Sequence, residues 1–133
     1  MLLLYIHAVL MCTGFLLLMS GFCIARFFKR KVWWLKIHTL CGIVGAASVL
    51  TGFFAVVLDI SLGGGQHFRI PHSYIGGAGV PLAIVAPILG FMQFKVGKEF
   101  MGIKQLHTWS GKTLLFLLLA NSMVGFSLIG ILS

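Results

Sequence analysis

Histidine is the residue through which this sequence could do chemistry: it has five, against two carboxylates and three cysteines. Four of the five open long apolar runs, and each has a glycine further along its own face: His7 with Gly14, His38 with Gly42, His72 with Gly76 and His107 with Gly111. Residues four or seven apart lie on one side of a helix, so each imidazole would stand beside a gap in the side-chain wall one or two turns away. A flat, wide ligand suits such a gap. Imidazole nitrogens ligate haem iron from both faces of the macrocycle, so the pattern reads as four histidines clamping two haem b groups.

The elements that must position these histidines are set by composition. The chain has 133 residues, 59% hydrophobic and 9% charged, whereas soluble domains carry roughly 25% charged residues. Uncharged runs cover residues 1–25, 37–58, 70–94 and 113–133, the last reaching back to Gln105 if Lys112 is tolerated. A hydrocarbon core of ~30 Å needs ~20 helical residues, so each run can cross it. The expected fold is a single all-α domain over 1–133, a four-helix transmembrane bundle with helices at roughly 2–27, 33–60, 71–95 and 105–132.

A net charge of +8 would suggest nucleic acid in a soluble protein, but its placement argues otherwise. Arg26, Lys29, Arg30, Lys31 and Lys36 fall between the first two runs, and Lys95, Lys98 and Lys104 between the last two. The positive-inside rule then puts both termini on the non-cytoplasmic side, with the basic residues facing lipid headgroups and no nucleic acid partner. The first run reads as a retained anchor, since its positive cluster follows the apolar stretch. Cys12, Cys23 and Cys41 form no C-x-x-C-H motif, which excludes covalently attached haem and leaves them as small core residues. The expected location is an integral, multi-pass membrane protein, in the plasma (inner) membrane if bacterial.

Alternating direction puts His7 and His72 at one depth and His38 and His107 at the other. The two irons would then be roughly 20 Å apart along the membrane normal, a wire across it. Iron held by two histidines has no vacant position for substrate, so electron transfer is the expected chemistry. Zinc or copper would want its ligands close together. Lys36, Arg69 and Lys104 each precede a histidine by two or three residues and are candidate haem-propionate contacts, as are Arg26 and Lys112; interface anchoring or snorkelling is the competing role. His67, in the glycine-rich segment after Ser61, reads as a solvated loop histidine. Asn121 is expected to hydrogen-bond across the bundle, and Pro81 and Pro87 to bend the third helix.

The sequence resembles the cytochrome b561 superfamily, in particular the four-helix core also found fused to DOMON domains. The matching stretches are His7-Ala8-Val9-Leu10-Met11 with Gly14-Phe15 and Ala25-Arg26; Trp34-Leu35-Lys36-Ile37-His38; His72-Ser73-Tyr74-Ile75-Gly76; and Leu106-His107-Thr108-Trp109-Ser110-Gly111-Lys112, followed by Asn121 and Gly125. The resemblance implies transmembrane electron transfer between two b haems, with His7 paired to His72 (outer haem) and His38 to His107 (inner haem). It also implies ascorbate, monodehydroascorbate or ferric iron as redox substrates. Family members with those substrates look like six-helix proteins, whereas four runs are visible here, so a module relaying electrons for redox partner proteins is expected.

Other readings are a haem b membrane anchor of a quinone-linked dehydrogenase, a small proton-coupled transporter and a structural subunit. A transporter generally needs a buried carboxylate, and the two carboxylates, Asp59 and Glu99, fall at a segment end and in a loop.

Overall fold

The computed structural model describes residues 2–95 and 101–128, which form four α-helices: α1 (Leu2–Phe27), α2 (Trp34–Leu62), α3 (Pro71–Lys95) and α4 (Met101–Leu128). All four are long and apolar enough to cross a membrane. The shortest, α3, has 25 residues and at 1.5 Å per residue is about 38 Å long. The protein is therefore an all-α, multi-pass integral membrane protein.

Where the helices begin and end follows from local chemistry. Pro71 opens α3, where its missing N–H costs nothing. Gly63 closes α2 by donating its N–H to the Asp59 carbonyl at 3.0 Å, and Gly64 follows with φ +66°, a backbone state that glycine takes without a Cβ clash. Helix α4 starts at Met101, four residues before the start expected from hydropathy. The charged Lys104 cuts the uncharged run short, so the turn before it escapes a reading by runs although Ile103 is buried. Lys98, Glu99 and the last turn expected to reach residue 132 lie outside the described residues. Pro81 and Pro87 are inside α3, where their missing N–H groups leave the Gly77 and Ala83 carbonyls without the usual intrahelical donor.

The chain divides into two compact units at His67 and Phe68. The first is the antiparallel hairpin of α1 and α2, closed by glycine on glycine. A Cβ on Gly14 would stand 2.7 Å from Val49 Cγ2 and 3.0 Å from the Gly45 carbonyl oxygen. One on Gly45 would stand 2.8 Å from Leu18 Cγ and 3.1 Å from the Gly14 carbonyl oxygen. Lipid is as apolar as leucine, so membrane helices gain by close backbone approach rather than by hiding large side chains. The second unit is the hairpin of α3 and α4. Here Gly79, Ala83 and Ala86 on α3 are buried with Leu114, Leu115, Leu118 and Asn121 on α4. Leucines fit into a small-residue face, with Leu114 Cδ1 3.8 Å from the Cβ position of Gly79. Large apolar side chains such as Leu16, Phe54 and Phe116 are exposed instead, as a lipid-facing surface requires. Serine hydroxyls are satisfied within their own helices, Ser20 on Leu16, Ser48 on Val44 and Ser122 on Leu118.

Gly45→Leu should therefore overpack the first hairpin and lower thermal stability in detergent by about 1–3 kcal/mol. Gly102→Ala, where a Cβ meets nothing within 4 Å, should leave it unchanged or slightly raised.

Candidate functional site

All four helix histidines are half-buried and make the same bond. His7 Nδ1 is 2.9 Å from the Gly52 carbonyl oxygen and His38 Nδ1 is 2.9 Å from that of Gly21. His72 Nδ1 is 3.1 Å from the Asn121 carbonyl oxygen and His107 Nδ1 is 2.8 Å from that of Ala86. A carbonyl oxygen only accepts, so each Nδ1 carries the proton and the lone pair stays on Nε2. This is the tautomer that presents Nε2 to a metal, and a backbone carbonyl on the other nitrogen fixes the ring's orientation and raises its basicity.

The bonds follow one register repeated four times. Each helix carries a histidine, a residue seven further on, and an acceptor fourteen further on: His7, Gly14, Gly21; His38, Gly45, Gly52; His72, Gly79, Ala86; His107, Leu114, Asn121. Fourteen residues is close to four turns, so each set lies along one face. Within each antiparallel hairpin the sets run against each other. The histidine of one helix meets the acceptor of the other at both ends, and the middle residues meet at the centre. The two imidazoles of a hairpin are thus separated by fourteen residues of rise, about 21 Å along the helix axis.

Small residues let the rings in. A helical carbonyl already holds the N–H four residues on, and its second lone pair takes the imidazole. In the second hairpin the residue four beyond each acceptor is glycine. A Cβ on Gly125 would stand 2.9 Å from His72 Cε1, and one on Gly90 3.1 Å from His107 Cε1. In the first hairpin the acceptors themselves, Gly21 and Gly52, are the glycines. Gly90 carries no mark in the linear sequence, because its role appears only once α3 and α4 are in register.

The glycines that follow the histidines divide into two kinds. A Cβ on Gly42 or Gly111 would meet no atom of its own hairpin within 4 Å, which leaves open space a turn beyond His38 and His107. Gly14 is taken up by the helix crossing, and the Cβ position of Gly76 lies 3.0 Å from Asn121 Nδ2. Asn121 crosses to α3 through its backbone carbonyl; its Oδ1 accepts no hydrogen bond among the described residues.

His67 stands apart. It is exposed, and its Nε2 is 3.2 Å from Ser61 Oγ. The one Ser61 hydroxyl proton goes to the Val57 carbonyl at 2.9 Å, so His67 donates from Nε2 and has the opposite tautomer. Of the cations, Arg26 lies over the Phe27 ring at 6.0 Å and Lys112 over the Trp109 ring at 5.5 Å. Lys36 and Lys104 lie exposed in the first turn of α2 and α4, and Arg69 is exposed just before α3. Among the described residues no three or more histidine, cysteine or carboxylate side chains gather into a metal-ion cluster.

Residues 6–127 match the family model described as eukaryotic cytochrome b561. Comparison with curated proteins and with solved structures gives no match.

In ¹⁵N-labelled, diamagnetic protein, long-range imidazole spectra should show the Nδ1–H tautomer for His7, His38, His72 and His107 and the Nε2–H tautomer for His67. Gly125→Ala should shift the His72 signals alone; Nε2–H signals from the four helix histidines would contradict the arrangement.

Proposed function

Since the chain belongs to the cytochrome b561 family, which points to haem b and transmembrane electron transfer, we propose that it relays electrons between two haem b groups, one held by His7 and His72 and the other by His38 and His107. The observation that carries this reading is the shared Nδ1 bond. Four side chains from four helices are held in the tautomer that iron ligation needs, with levels about 21 Å apart in each hairpin. Within each hairpin, open space a turn beyond His38, over Gly42, and beyond His107, over Gly111, suits the edge of a planar group.

A haem b with two imidazole ligands supplies reversible one-electron transfer and has no coordination position left for substrate. The work of the chain is then to hold and tune. The backbone carbonyls keep each imidazole from rotating, and the apolar helix faces keep water away from it. Lys36 and Lys104 stand at the membrane surface two or three residues before His38 and His107, and Arg69 three before His72. There they balance the charge of propionates, together with Arg26 and Lys112. The basic segments joining α1 to α2 and α3 to α4 lie on the cytoplasmic side and both termini on the other. Electrons pass between redox partner proteins, or small carriers of the ascorbate or quinone class, on opposite faces.

A pyridine haemochrome assay on purified protein should give two b haems per chain. Replacing His38 or His107 by alanine should remove the same single haem, and His67→Ala should retain both. A single haem in the unmodified protein, or loss of haem on replacing His67, would overturn the proposal.

A further inference from the structure

The four helices share one pattern but differ at its last position, where the acceptors are Gly21, Gly52, Ala86 and Asn121. Three have no polar side chain. The fourth has a carboxamide, on the residue whose backbone carbonyl holds His72.

That carboxamide is enclosed. Asn121 is 3% exposed, and its Nδ2 lies 3.0 Å from the Cβ position of Gly76, so the side chain occupies a notch that only glycine leaves in α3, one turn from His72. Its Oδ1 is buried and receives no hydrogen bond from the described residues. An amide dipole whose oxygen has no donor is not offset by a neighbour, and in a low-dielectric interior it is felt by nearby groups far more than in water. Such a dipole beside an iron centre shifts the balance between the ferric and ferrous forms, which differ by one positive charge.

We infer that Asn121 is a positioning and tuning residue that sets the two haem sites apart, shifting the midpoint potential of the haem ligated by His72. The inference rests on the two-haem reading above. It makes the two sites unequal, since the other three acceptors bring no side-chain dipole to their histidines. The opposing role for a buried asparagine is helix-to-helix adhesion alone, which would change stability and leave the potential where it was.

The test is a spectroelectrochemical titration of the full chain, unmodified and with Asn121→Leu or Asn121→Ala, each also in a His107→Ala background that isolates the His72 haem. Haem content and the low-spin ferric electron paramagnetic resonance signal are recorded for each. In both Asn121 variants the ferric-to-ferrous ratio of the His72 haem at a fixed ambient potential should change at least threefold and in the same direction, roughly 28 mV at 59 mV per decade for one electron. The other haem should be unmoved. Unchanged midpoints with both haems retained would overturn the tuning role. Loss of the His72 haem in both variants would do the same by making Asn121 a structural support. An unmodified protein with fewer than two haems would instead sink the two-haem reading, and this inference with it.

Discussion

The structure depends on one interaction used four times, an imidazole Nδ1–H given to a backbone carbonyl of the antiparallel neighbour. In water such a bond is worth only about 1 kcal/mol net. Between membrane helices its value is partly geometric: a ring that has committed Nδ1 can turn neither its plane nor its tautomer, and Nε2 then points one way. The cost is that a ring must reach a carbonyl lying at the surface of a helical backbone, which side chains normally cover. This is why the acceptors or the residues four beyond them are glycines, and why the helices of the first hairpin touch at Gly14 and Gly45.

The two hairpins reach that end by different packing. In the first, glycine opposes glycine and backbones meet. In the second, Leu114 and its neighbours fill notches left by Gly79, Ala83 and Ala86. Both put small residues where the helices meet, so a few large side chains, Val49 in the first and Leu114 and Leu118 in the second, fit between them while others such as Leu16, Phe54 and Phe116 stay exposed. The seven-residue spacing keeps histidine, middle residue and acceptor on one face in both. The same bond therefore survives a change of side chains around it, including at Asn121, where a polar group enters.

Much of this is legible in the linear sequence. The apolar runs give four crossings, and α1 and α3 begin and end where those runs and Pro71 put them. Membrane composition is a strong signal, because lipid leaves no alternative to a helix for an isolated apolar segment. The first turn of α4 escaped because Lys104 interrupts the uncharged run while the helix continues through it. The spacing of His7, Gly14 and Gly21 is visible as a stripe, but its partner is not: that His7 meets Gly52 and not another small residue of α2 depends on the register of two helices. The same limit hides Gly90, and it made the glycines after the histidines look equivalent. Gly42 and Gly111 border open space, whereas Gly14 and Gly76 are filled by Val49 and Asn121. Asn121, expected to hydrogen-bond across the bundle, bonds to His72 of the neighbouring helix, and does so through its backbone carbonyl.

Membership of the cytochrome b561 family suggests electron transfer across a membrane, and four helix histidines each locked by a backbone carbonyl are consistent with it. The most direct measurement of that claim uses sealed vesicles carrying the protein in one orientation, with a membrane-impermeant oxidant inside and a membrane-impermeant reductant outside. Reduction of the trapped oxidant that requires the protein and disappears in a His38→Ala, His107→Ala double variant is the predicted result. A trapped oxidant that stays oxidised while the external reductant fully reduces the protein's haem would contradict transfer across the membrane.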